Sequence, residues 1–192
     1  MHKKLALLAA LALPSLALAN PYIIAGAASG TADLSDIESY YGPGHDTDDS
    51  FTRGIIGIGA DLNPNLAVEA SYLTEGEVTV SDGTQTDTLT NSGVQFALLG
   101  KAPLTPQLNV FGKISANYMN VEWQYQDNLV PVNNYTVDDS KFQLGYGIGL
   151  HYQVVDNVGV RVALERIQIR DAIQGAGDSD VDQVSAGFTF GF

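Results

Sequence analysis

The sequence predicts an all-β fold: an eight-stranded antiparallel up-and-down transmembrane β-barrel with short turns at one end and four long loops at the other. Three observations predict it. Apolar residues recur at every second position in eight segments, tight and long connections alternate, and the chain closes on "GFTFGF", Gly187 to Phe192, with aromatics at period two. Alternation of this kind gives a strand one greasy and one polar face. A mean hydropathy near zero is no objection, because a membrane barrel hides its apolar band in alternate residues.

In chain order, "MHKKLALLAALALPSLALAN" comes first, with Lys3 and Lys4 ahead of an apolar run that closes on Ala17-Leu18-Ala19. That is the layout of a secretory signal peptide over 1–19, cleaved after Ala19, which leaves 20–192 as one barrel domain. The run is too short to span a bilayer as a helix, which takes about 20 residues. "PYIIAGAASGT" opens the first strand, and weaker alternation over 51–62, 65–74 and 91–103 supplies three more. In "LNVFGKISANYMN" Leu108, Val110, Ile114, Ala116 and Tyr118 oppose Asn109, Lys113, Ser115 and Asn117, with Phe111 breaking the pattern. "KFQLGYGIGLHYQ" is the cleanest: Phe142, Leu144, Tyr146, Ile148, Leu150 and Tyr152 face one way, and Lys141, Gln143, three glycines and His151 the other. "VGVRVALER" and the last ten residues complete the set.

The turns "LNPN", "PLTPQ" and "VVDN" are short and rich in Pro, Asn and Asp, whereas 33–50, 75–90, 120–139 and 171–182 are long. Within the second long segment, Asp82-Gly83 between alternating residues marks a hairpin tip, so protruding sheet is expected there. Eighteen of the 22 acidic residues fall in or beside the four long segments. The expected mature chain carries seven Lys and Arg against 22 Asp and Glu, a net charge of 7 − 22 = −15, which argues against nucleic acid as a partner. No cysteine is present, so neither a disulfide framework nor a lipidated cysteine enters.

A closed barrel is what hydrocarbon demands, because an open sheet edge would leave backbone groups unpaired there. A soluble ligand-binding barrel is the competing architecture, with its apolar face inside. Alternation alone does not say which face points out; the terminal phenylalanines and the unequal loops favour the membrane barrel.

"PYIIAGAASG", "LAVEASY" around Glu69, "LNVFGKISA" around Lys113 and the terminal "GFTFGF" together resemble the OmpA-like and OmpX-like family of small eight-stranded outer-membrane proteins. The resemblance implies a Gram-negative outer-membrane location and contact with outer-membrane lipids and lipopolysaccharide. It also implies recognition of Phe188, Phe190 and Phe192 by the barrel-assembly machinery. It further implies a lumen charge network, onto whose positions Glu69, Lys101, Lys113, Arg161 and Glu165 map, with Arg53 on the same face by alternation. His151 stands where the family pattern often carries a glutamate, which leaves the network one acid short. In a barrel this narrow, side chains fill the interior, so paired charges plug it; a gated ion path is the alternative.

Catalysis finds little support. The His and Ser two apart on a lipid-facing strand that mark an eight-stranded deacylase are absent, since His151 is followed by Tyr152 and Gln153 and turns inward. His45 beside Asp46, Asp48 and Asp49 could act in a His/Asp pair or hold calcium through carboxylates. No twelve-residue calcium frame surrounds it, however, and a solvated acidic loop is the plain reading. No cofactor or metal site is therefore expected. In the third long segment Trp123, Tyr125 and Tyr135 sit among acids; they either anchor a host or neighbouring-cell surface protein or belong to the aromatic girdle at the membrane surface. The expectation is a monomeric, non-catalytic barrel with a plugged lumen and an envelope-structural or surface-interaction role. An adhesin acting through its loops is the second reading, and a narrow pore or lipid-modifying enzyme the third.

Overall fold

The computed structural model describes residues 20–38, 45–129, 134–169 and 179–192. The expected signal peptide, 1–19, lies outside them. The elements are β1 (Asn20–Ala32), α1 (Ser35–Glu38), β2 (Asp46–Asp48), β3 (Ser50–Asn63), β4 (Leu66–Ser81), β5 (Gln85–Pro103), β6 (Leu108–Asp127), β7 (Tyr135–Val155), β8 (Val158–Ile169) and β9 (Ser179–Gly191). Each of the eight long strands pairs antiparallel with its sequence neighbour, and β1 also pairs with β9, so the sheet has no open edge across the barrel. The three-residue β2 is an addition outside the ring, paired with Thr79–Ser81 of β4.

Which face points outward is now fixed. Ile56, Ile58, Ile114, Phe142, Leu144, Ile148 and Leu164 are all more than half exposed on the outer wall, while Arg53, Glu69, Gln95, Lys113, Asn117 and Glu165 are buried inside. That is the arrangement lipid imposes, since an outward charge at the bilayer midplane costs about 2 to 4 kcal/mol.

Phe111 leaves the outer apolar series because it points inward, where it is 2% exposed. Gly149 makes this possible, since a Cβ there would collide with the Phe111 ring, closer than any side chain could sit. Gly159 does the same for His151, whose Nε2 occupies the space an added Cβ would take. The small residues opposite the greasy face are thus spaces for lumen side chains.

Two of the long segments are largely strand. β4 and β5 run on to Ser81 and from Gln85, leaving a tip of three residues, and β6 and β7 run to Asp127 and from Tyr135. β7 meets β8 only from Leu144 onward, so β4 to β7 rise past the ring as a protruding sheet.

Candidate functional site

The lumen is built in tiers. At the mouth near the short turns, Lys101 pairs with Asp61 at 2.6 Å and His151 shares a hydrogen bond of 2.9 Å with the Thr189 hydroxyl. Around them is a cavity of about 400 Å³ with Leu99 and Phe111 in its walls.

Above it, Arg161 grips Glu69 through both terminal nitrogens, Nη1 to Oε1 and Nη2 to Oε2, the latter at 2.9 Å. Tyr22 donates its hydroxyl to Oε1 of the same carboxylate at 2.8 Å, and the guanidinium lies 5.2 Å over the Phe111 ring. A bidentate pair with a third donor meets the geometry a buried ion pair needs.

The next tier centres on Glu165. Its Oε2 accepts from Lys113 Nζ at 2.7 Å and Gln183 Nε2 at 3.0 Å, and its Oε1 accepts from Gln95 Nε2 at 2.8 Å and Ser115 Oγ at 3.2 Å. Gln95 also accepts from Lys113 at 2.9 Å and donates to Asn117 at 2.7 Å. The interior then turns apolar: Phe51, Leu73, Val78, Val80, Met119, Ile167 and Val181 form one buried cluster, with Leu34 from the first long segment packed in. This apolar roof was not expected from the family resemblance, which implied a charge network in the lumen.

Of the residues that the family resemblance assigned to one network, Glu69, Lys113, Arg161 and Glu165 share the central tiers. Lys101 does not join them, because it sits at the mouth with Asp61 for partner. His151 makes no carboxylate contact among the described residues and hydrogen-bonds Thr189 instead. Arg53 is inward as expected, yet it donates only from Nη1, to Asn91 at 2.9 Å, and its ring neighbour is Phe51 at 4.4 Å. Its Nε and Nη2 meet no acceptor among the described residues. The central tiers thus hold two cations and two carboxylates in pairs, and Arg53, beside the roof, has no carboxylate within hydrogen-bond reach among the described residues. Tyr22, Gln95, Asn117 and Gln183 were missed, although Gln95 shares the parity of Lys101 on β5 and Asn117 that of Lys113 on β6.

Phe188 and Phe190 face outward on β9, opposite Ala25 and Ile23 of β1, with ring centroids 6.2 Å apart. Phe192 follows the strand, 79% exposed. The three therefore form part of the lipid-facing wall.

Trp123, Tyr125 and Tyr135 correct one expectation. Uninterrupted register in β6 and β7 places them on the face of Lys113 and Asn117, which is the inner one, so they are no part of an outward girdle. Trp123 donates its indole N–H to Asp87 at 2.6 Å. Tyr135 meets Trp123 edge-on at 5.5 Å and stacks on Tyr125 at 5.1 Å. In the first long segment, Asp48 accepts from both the backbone N–H and the hydroxyl of Ser50, at 3.2 and 2.7 Å. Among the described residues, no three His, Asp or Glu side chains converge as a metal set.

The comparisons with known proteins agree with this architecture. The family model described as outer membrane protein beta-barrel domain matches residues 5–192. No curated protein matches the sequence. Among solved structures, Ail of Yersinia pestis, its attachment invasion locus protein, is similar over 91% of this chain and 99% of its own, with 14% identity and a TM-score of 0.60. Neisserial surface protein A covers 90% of this chain and 97% of its own, at 14% identity and a TM-score of 0.65. A major outer membrane protein of Thermus thermophilus has a TM-score of 0.52 at 14% identity, over 90% of this chain and 99% of its own.

Proposed function

The chain belongs to the outer-membrane β-barrel family, and on that premise we propose that it serves the outer membrane as a closed, monomeric, non-catalytic barrel. The observation that carries this reading is the doubly filled interior: two ion-paired tiers below, centred on Glu69 and Glu165, and the apolar roof of Phe51, Leu73, Val80, Met119 and Ile167 above. Charges paired this well are matched to one another rather than to a passing ion. The wall of isoleucine, leucine and phenylalanine would meet lipid, and the terminal aromatics would serve as the signal for assembly.

A second reading, surface interaction, is favoured by the protruding sheet and its aromatic trio. Ail was solved in complex with the heparin analogue sucrose octasulfate. That ligand does not carry over readily, because the four long segments of this chain hold 18 Asp and Glu and neither Lys nor Arg, a field that repels sulfates.

A barrel with the β6–β7 hairpin cut back towards the ring, residues 122–139 replaced by a short turn so that the apolar roof is left whole, separates the readings. Cells lacking the protein and carrying either form are tested for envelope permeability and for adhesion. The structural reading predicts that the trimmed barrel restores permeability in full and leaves adhesion unchanged; lost adhesion with normal permeability would put surface interaction first.

A further inference from the structure

We propose that the inner face of the protruding sheet, at Trp123, Tyr125 and Tyr135, docks a lysine- or arginine-rich segment of a partner protein. This rests on the surface-interaction reading and names the chemistry of the partner. The trio is a preformed platform. Asp87 holds the indole of Trp123 by a 2.6 Å hydrogen bond, Tyr135 packs against it, and Tyr125 stacks on Tyr135, so few rotamers remain to be frozen on binding. Part of it stays open to water: Tyr135 is 45% and its neighbour Val137 39% exposed, and Leu129 at the hairpin end 75%.

The electrostatics choose the occupant. The phenol of Tyr125 is pushed up in pKa by burial first and then by the carboxylates of Asp127, Asp87 and Asp82, so the rings stand in a negative field. Among the described residues, Lys141 and Arg166 are held by the chain's own acids: Lys141 lies 3.4 Å from Asp139, and Arg166 lies 3.5 and 2.5 Å from Asp180 and Asp182. Aromatic faces attract guanidinium and ammonium groups and give anions no such gain. Lipopolysaccharide phosphates and a second copy of this acidic chain are both repelled, whereas a basic segment gains from the rings and from the carboxylates beside them.

Trp123 is the only tryptophan in the chain, so its fluorescence reports from the site itself. The purified protein in detergent micelles is titrated with a short alternating lysine–alanine peptide, and separately with the glutamate–alanine peptide of the same length. The expected result is a saturable change in Trp123 emission with the lysine peptide alone. Replacing Tyr125 and Tyr135 with alanine weakens it about thirty-fold, while Glu75→Gln with Glu77→Gln, on the exposed outer side of the same sheet, changes it little. Heat-dependent electrophoretic mobility shows that each variant is folded, and Tyr135→Leu substitutes if the double variant is not. Equal loss in the outer-side variant, or full binding without the two tyrosines, would reduce the effect to bulk charge and overturn the proposal. Binding of the glutamate peptide alone would overturn the cationic partner yet leave surface interaction standing, and silence with both peptides overturns the docking site while the adhesion assay still judges the broader reading.

Discussion

Glu69 and Arg53 are both buried charges, and their surroundings give them opposite energetic signs. Glu69 is held by Arg161 and Tyr22, so Glu69→Ala leaves a guanidinium in the lumen without its counter-ion and should cost about 3 to 5 kcal/mol, as breaking a buried pair does. Arg53 has an amide and an aromatic face for company and, among the described residues, no carboxylate within hydrogen-bond reach, Glu165 acting on it only from a longer distance. Arg53→Met keeps the volume, fits the apolar roof beside Phe51 and removes a charge without a direct counter-ion, so it should be neutral or stabilise by about 1 to 2 kcal/mol. Urea unfolding of the micelle-bound proteins measures both; destabilisation by Arg53→Met as large as that by Glu69→Ala would contradict the charge assignment. Much of this was legible in the sequence. Parity and resemblance placed Glu69, Lys113, Arg161 and Glu165 inside. Their partners were not legible, because pairing depends on strand stagger, which also brings Asp61 to Lys101 across strands that are not sequence neighbours.

Along the elements, the clean alternation of β7, β8 and β9 was readable because outward residues must suit lipid and inward ones must fit the lumen. Above the membrane that constraint lapses, since both faces of the protruding sheet can meet water, and 75–90 and 120–139 therefore looked like loops. The exception was the β4–β5 tip, where turn chemistry is local. Gly83 has φ +87°, and the Asp82 carboxylate accepts from the Thr84 N–H at 2.8 Å, the Thr84 hydroxyl at 2.7 Å and the Gln85 N–H at 2.7 Å. Gly83→Ala forces a Cβ into a left-handed conformation and should cost about 1 kcal/mol. Donation from the Gln85 N–H first, and then from Thr84, holds the Asp82 carboxyl below its ordinary value of 3.8. A depressed folded pKa contributes order that is complete above the ordinary value and disappears as the pH falls through the folded one. Amide protection at Thr84 and Gln85, corrected for intrinsic exchange, should therefore hold at neutral pH and drop at strongly acidic pH. Asp82→Ala should lack the protection at every pH; protection indifferent to both changes would sink this account of the tip.

For the molecule as a whole, assembly and closure are separate claims. If the terminal aromatics are read during insertion, deleting Phe192, which is 79% exposed and whose backbone N–H reaches the Pro21 carbonyl at a long 3.4 Å, should lower the yield of heat-modifiable barrel in cells while leaving the stability of the refolded protein nearly unchanged. Normal yield would remove Phe192 from that role. Closure is the central claim, and it rests on the Arg161–Glu69 and Lys113–Glu165 pairs beneath the apolar roof. The most direct measurement is ion current through the purified protein in a planar lipid bilayer, with insertion verified independently. A filled lumen predicts no steady current above that of the bare bilayer at any modest voltage; a stable, reproducible conductance step for each inserted molecule would contradict it.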